Sequence, residues 1–386
     1  MRRGAAALVL VAAPALLGAA APAPVDYAGD AKALDALIVA NYAYLDRFPG
    51  GAAPASAKLA AERDAVHDGD SLLRYAEDAL TALADHHAIT GASFKDDWAV
   101  VPSYADIWIV AAGSGYFVDA VRHDTPASRA GIVAGDRLVA VGGVPIAEAV
   151  AGFWSPLALD AAGERSAYAA RVLAAGRRDR PRVLTVSHGG VARTVTLLSL
   201  YDAQPGQPPL TVTGTTIRFN NSLGDSATIA AFDSAMAGLP ADAPVTLDLT
   251  DTPSGGNTSV ARALMGWFVT RPSAYQIHNL PAEERETGIA RQWIEQVLPR
   301  SGKYHPGPVR VLVGRWTGSM GEGLAIGFAA FGKPVCGTRM AGLRGAVYDF
   351  PLPSSGLVVK FPAERLYTVD GTPRESFVPR PASACR

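Results

Sequence analysis

Thr317-Gly318-Ser319-Met320-Gly321-Glu322 sets a serine between the apolar run Val309–Val313 and a second apolar run that reaches Phe331. The first run reads as a buried strand and the second as a helix. A serine at a helix start sits beside unpaired backbone N–H groups and the positive end of the helix dipole. There it can attack a carbonyl while the N–H of the next residue binds the oxyanion. The spacing Ser-x-x-Glu is equally a capping box that only finishes a helix. On this segment alone both readings stay open.

Two further features bear on that choice. Val245-Thr246-Leu247-Asp248-Leu249 reads as a strand and runs into Asp251-Thr252-Pro253-Ser254-Gly255-Gly256-Asn257. Glycine-rich turns thus follow one strand and precede the serine, and their bare backbones can converge on one substrate carbonyl. Leu83-Ala84-Asp85-His86-His87 carries adjacent histidines at the end of a helical pattern. Histidine, with a pKa of ~6.5, exchanges protons near neutrality. On a helix the two rings point about 100° apart, so they do not share one role. Ordinary hydrogen-bonding histidines are the alternative. The seven histidines form no His-x-x-x-His pattern, and Cys336 and Cys385 have no metal-ligand spacing, so neither a metal nor a cofactor is expected.

These residues must be positioned by more than one domain, because 386 residues exceed one comfortable hydrophobic core. Apolar residues at 49% and charged residues at 18% exclude wholesale disorder. A net charge of −1 without a long basic block argues against nucleic acid and leaves a peptide or small molecule as partner. Met1-Arg2-Arg3, the apolar stretch Ala5–Leu17 and Gly18-Ala19-Ala20-Ala21 read as a secretory signal over residues 1–20. The stretch is shorter than the ~18–20 residues of a membrane span, although an uncleaved anchor is the alternative. Export to a periplasm or outside the cell is therefore expected. In such an oxidising compartment Cys336 and Cys385 can pair.

The chain divides into three segments after the signal. Residues 26–100 form a helical region, with apolar residues at three- and four-residue intervals over Ala31–Tyr44 and Ser71–Leu83. Residues 105–200 carry short strand patterns between glycine turns. Residues 210–386 alternate strands and helices, an α/β rhythm, with an irregular insertion over 270–306 that includes a helix near Ile289–Val297.

Pro126-Ala127, Ala130-Gly131-Ile132, Gly135-Asp136-Arg137-Leu138 and Val141-Gly142-Gly143 resemble, in order, the pattern of a bacterial PDZ domain. A PDZ groove lies between a strand and a helix, and a bound peptide adds a strand to the sheet edge. The resemblance makes Gly113, Gly115, Tyr116 and Phe117 the loop that holds a peptide carboxylate. A PDZ that serves only as a spacer or lid is the alternative.

Asp248-Leu249 with Gly255-Gly256-Asn257, and the Ser319 segment with its glutamate three residues on, resemble the carboxyl-terminal processing (tail-specific) protease family. The order of signal, helical region, PDZ and α/β domain matches that family across nearly the whole mature chain. The resemblance implies a serine peptidase on a ClpP/crotonase-like α/β fold, with Ser319 as nucleophile and the backbones of Gly255 and Met320 as oxyanion donors. Many members carry a lysine base about two dozen residues after the serine; here Arg344 stands there, and arginine stays protonated. Arg344 is then a substrate anchor or part of an ion pair. A second branch, similar to the tricorn peptidases, uses a Ser-His pair and a glutamate. Leu83-Ala84-Asp85-His86-His87 fits its histidine segment and implies His87 as base, with His86 as competitor. Glu375, before Ser376-Phe377, is the implied carboxylate that orients the imidazole. The expected activity is cleavage of polypeptides through an acyl-enzyme. A peptide-binding protein without turnover, and hydrolysis of a small ester or amide by the same serine, are the alternatives.

Overall fold

The computed structural model describes residues 24–113, 115–202 and 207–385. The expected signal at 1–20 lies outside them. Among the described residues no helix is long and apolar enough to cross a membrane.

Three helices open the described chain: Tyr27–Asn41, Ala57–Asp64 and Gly69–Ala82. Each begins at a polar cap. Asp26 accepts the Gly29 N–H, Ser56 accepts the Leu59 N–H, and Asp68 accepts the Ser71 N–H. Such caps satisfy donors that a helix start leaves unpaired. Ala31, Leu34 and Ile38 face Leu72, Tyr75, Ala76 and Leu80 in one buried cluster, as the sequence spacing predicts. That cluster also contains Leu352, Val359 and Phe361, from the far end of the chain. The strand Val358–Tyr367 pairs with Ala346–Pro351 and with the short strand Ile89–Thr90. The helices alone therefore do not complete their own core.

The segment Ile107–Leu197 folds into a second sheet of antiparallel strands, in the order Ile107–Ala112, Gly115–Val121, Arg137–Val141, Arg182–His188 and Val191–Leu197. Helix Glu164–Ala175 packs against it, burying Tyr168, Ala169, Ala170 and Val172.

The third unit is the α/β layer. Val335–Gly337, Val309–Val313, Val245–Asp248 and Thr216–Phe219 form a parallel run, closed by the antiparallel Leu210–Thr213. Val245, Leu247, Val309, Val311 and Val313 alternate along their strands and form one buried face, while Arg310 on the other face is exposed. Helices Ala227–Ala237, Thr258–Met265 and Met320–Ala330 contribute to the same core. In open parallel sheets ligands bind beyond the carboxyl ends of the strands. The Gly255-Gly256 turn and Ser319 both follow such ends, after Asp248 and after Val313.

One sequence expectation fails in this unit. The helix expected near Ile289–Val297 is instead the strand Gln292–Val297, antiparallel to Ser273–Asn279. Its exposure alternates from residue to residue, the period of a strand rather than a helix. His278 pins it: Nε2 lies 3.2 Å from Glu295 Oε2 and Nδ1 lies 2.7 Å from Glu364 Oε2. The two carboxylates outweigh burial and push the imidazole up to about 9. The histidine thereby ties three strands together by charge.

Phe361 packs 4.4 Å from the Phe350 ring and 6.3 Å from Tyr42, centroid to centroid. Phe361→Ala is expected to cost about 3–5 kcal/mol of stability. Hydrogen exchange should quicken in helices Tyr27–Asn41 and Gly69–Ala82, far away in sequence. Unchanged protection there would contradict the shared core.

Candidate active site

His87 is placed by a break in the chain. Helix Gly69–Ala82 ends, Ala84 adopts a positive φ of 46°, and the backbone turns. Buried Asp85 braces that turn by accepting the His87 N–H at 3.0 Å and the Tyr42 hydroxyl at 2.7 Å. Two residues later Ile89–Thr90 joins the sheet opposite Lys360 and Val359. The imidazole is thus held between a helix end and a strand.

Ser319 is placed by a strained turn. Its φ of 50° and ψ of −114° are uncommon for any residue but glycine. Backbone strain of this kind costs roughly 1–3 kcal/mol and persists only where neighbours over-determine it. Glu322 is one such neighbour. Fully buried, its carboxylate accepts N–H groups from Ser319 at 3.0 Å, Gly342 at 2.8 Å and Leu343 at 3.2 Å. Burial pushes Glu322 up to about 7, while Arg374 and these donors favour its ionised form. The Ser-x-x-Glu pattern is therefore a capping box in which Glu322 holds the serine backbone.

That hydroxyl meets the imidazole. His87 Nε2 lies 3.0 Å from Ser319 Oγ across 232 residues of chain. His87 Nδ1 lies 2.6 Å from the Arg344 carbonyl oxygen. A carbonyl can only accept, so Nδ1 carries the proton and Nε2 presents its lone pair to the serine. Burial lowers the His87 pKa to about 4, the Arg344 carbonyl opposes that, and Arg374 adds to it. The ring is neutral at pH 7, the form that accepts a proton.

The glycine turn lies directly on the serine. A Cβ on Gly255 would stand 2.4 Å from Ser319 Cβ and 2.9 Å from both Ser319 Oγ and the Met320 nitrogen. The neighbouring Gly256 has no room either, with Leu223 carbonyl atoms 2.0 Å from where its Cβ would be. The Met320 N–H, at the first position of helix Met320–Ala330, has no acceptor among the described residues. It faces the space beside Oγ together with the helix dipole.

Three expected placements differ. The Gly255 N–H does not face an oxyanion, because it donates to Thr252 O at 3.2 Å and closes a tight turn with Pro253 at its second position. The Gly256 N–H has no acceptor among the described residues. Glu375 makes no hydrogen bond to His87, whose Nδ1 is already taken by the Arg344 carbonyl. Its Oε2 is buried without a partner, as is the Tyr44 hydroxyl, which the Glu375 charge helps hold in its neutral form. Gly115, Tyr116 and Phe117 lie in a strand rather than in a loop before one, and Phe117 pairs with Arg137. Ala112 pairs with Gly115 in a hairpin, and strand Gly115–Val121 has a neighbour on each side. One of the two outer strands is Ile107–Ala112, and Arg171 from helix Glu164–Ala175 reaches its Ile109 carbonyl at 3.4 Å.

The other named residues fall into supporting roles. His86 accepts from Arg171 Nε at 2.9 Å and stacks on Tyr168 at 4.4 Å. The Arg344 side chain forms a two-pronged pair with Glu164, 2.9 Å to each oxygen. Its backbone carbonyl, which no side-chain pattern advertises, is what touches His87. Among the described residues no group of histidines, cysteines and acids has the makings of a metal site.

Gly255→Ala is expected to cut the reactivity of Ser319 toward acylating agents by about 100-fold or more, because the added Cβ, 2.4 Å from Ser319 Cβ, would displace the nucleophile. Reactivity equal to wild type would show that the turn does not pack on the nucleophile.

Residues 117–151 match the family model described as a PDZ domain. No curated protein sequence matches the chain. Among solved structures, the photosystem II D1 C-terminal processing protease superposes with a TM-score of 0.56 at 16% identity, over 93% of each chain. Mature CPAF complexed with lactacystin gives a TM-score of 0.56 at 14% identity, over 92% of this chain and 93% of that one. At these identities the likeness is one of architecture: the chain has the mixed α/β fold of the C-terminal processing protease structure, with a PDZ unit inside it.

Proposed function

We propose that the protein is an exported serine peptidase that cleaves polypeptides through an acyl-enzyme, with the PDZ unit engaging substrate segments. One observation carries this reading: Ser319 Oγ and a neutral His87 Nε2 stand 3.0 Å apart beside the unpaired Met320 amide.

In the proposed reaction Ser319 Oγ attacks the scissile carbonyl and His87 Nε2 takes its proton. The developing oxyanion lies toward the Met320 N–H and the positive end of helix Met320–Ala330. The imidazolium returns its proton to the leaving amine, and the ester forms on Ser319. Water, deprotonated by His87, then releases the acid. The Arg344 carbonyl keeps Nδ1 protonated throughout, the task the sequence resemblance assigned to Glu375. The shared architecture with the D1 C-terminal processing protease supports peptide bonds as the target.

Export rests on the amino-terminal signal pattern, and the Cys336–Cys385 bridge, with Cα atoms 6.1 Å apart, fits an oxidising compartment. A peptide-binding protein without turnover remains the second reading. It is favoured by the Gly255 N–H being spent within its own turn.

Ser319→Ala should abolish labelling by a serine-reactive fluorophosphonate, and hydrolysis of an unfolded protein should vanish with it. Persistent labelling would remove Ser319 from the nucleophile role; labelling of wild type without hydrolysis would favour the binding reading. The pH dependence has a definite sign. A His87 pKa lowered to about 4 keeps the base deprotonated well below the usual range of histidine. Labelling of the free protein should thus hold from neutrality to about pH 5 and fall as pH drops through about 4. A fall centred near ~6.5 would mean that an exposed histidine acts instead.

A further inference from the structure

Arg374 is buried to 3% exposure and lies one residue before the glutamate that the sequence singles out. Its Nη2 donates to the Leu343 carbonyl at 3.0 Å and to the Gly345 carbonyl at 2.8 Å. These are the carbonyls on either side of the one that accepts from His87. The flanking two face Arg374 and the middle one faces the imidazole. Glu322 grips the same loop from its N–H side, through Gly342 and Leu343, and lies 3.9 Å from Arg374 Nη2. Through the Ser319 N–H the same carboxylate also holds the serine turn. The buried ion pair therefore spans both halves of the candidate dyad without touching either reacting atom.

An ion pair inside a protein is weak evidence for stability, because desolvation offsets much of its attraction. Here its hydrogen bonds have a geometric consequence. With the 343 and 345 carbonyls held by Arg374, the 344 carbonyl stands 2.6 Å from Nδ1, which is then the protonated nitrogen. Free imidazole has no such constraint, and a ring with its proton on Nε2 cannot accept from Ser319. We propose that Arg374 is a positioning residue: by clamping the carbonyls of Leu343 and Gly345 it aims the Arg344 carbonyl at His87 and fixes the tautomer that can act as base. The inference rests on Ser319 and His87 being the reactive pair.

The test uses the full-length protein with ¹⁵N-labelled histidine, read by NMR for the tautomer of His87 and by fluorophosphonate labelling for the rate at Ser319. Arg374→Met removes the clamp. Because it strands a buried Glu322 carboxylate, a second protein combines Arg374→Met with Glu322→Gln and leaves no unpaired charge. In whichever of these folds, judged by circular dichroism, His87 should populate both neutral tautomers. The labelling rate should fall about 10- to 100-fold, part of the 10²–10⁴ attributed to a positioned base. Arg374→Lys keeps a donor and should recover part of both signals. A folded methionine variant that retains the single Nδ1–H tautomer and the wild-type rate would overturn the proposal. Wild-type protein with that tautomer but no labelling of Ser319 would instead sink the peptidase reading, since the tautomer is observed without turnover.

Discussion

A single hydrogen bond, from the hydroxyl of Ser319 to His87 Nε2, spans 232 residues of chain, and the rest of the molecule is arranged so that it forms. Neither partner stands on a scaffold that folds around it locally. His87 follows a helix whose buried face is completed by strands near the carboxyl terminus, and Ser319 stands at the end of a strand in a different sheet. The connection runs through Val358–Tyr367, which pairs with Ile89–Thr90 just past the histidine and with Ser273–Asn279 beside the α/β layer. Closing so long a loop is entropically costly only once, and the shared apolar core supplies the compensation.

Strain and support meet at the serine. Ser319 combines a positive φ with a hydroxyl that lies 3.0 Å from the imidazole. Glu322 holds the helix start through the Ser319 N–H. A strained backbone at the residue with the reactive group is thus braced from three residues on. Such conflicts between local preference and global fold concentrate where function resides. The glycine turn follows the same logic, because any side chain at Gly255 would occupy the space of the nucleophile.

What was legible in the sequence had side-chain signatures. Ser319 stands out by its place between a strand and a helix, His87 by a motif, and the amino-terminal helices by their spacing and caps. What was not legible is carried by the main chain. The acceptor for His87 Nδ1 is a backbone carbonyl, and its residue, Arg344, attracts notice for the wrong group, its guanidinium. Glu375 was the natural candidate because a carboxylate can orient an imidazole, yet it is the neighbouring Arg374 that reaches the loop. The segment before Gly115–Val121 looks in sequence like a loop, and only pairing shows Ala112 joined to Gly115 and Phe117 joined to Arg137. Gln292–Val297 fails as a helix because its alternation is short and its partner, Ser273–Asn279, lies beyond an intervening helix.

The central claim is that His87 activates Ser319. Mass spectrometry of peptides after brief reaction with an activated acyl ester measures it most directly, comparing wild type with His87→Ala. The account predicts an acyl group on Ser319 in wild type and about 100-fold less or none in the variant. Equal acylation of Ser319 in both proteins, or an acyl group only elsewhere in the chain, would contradict it.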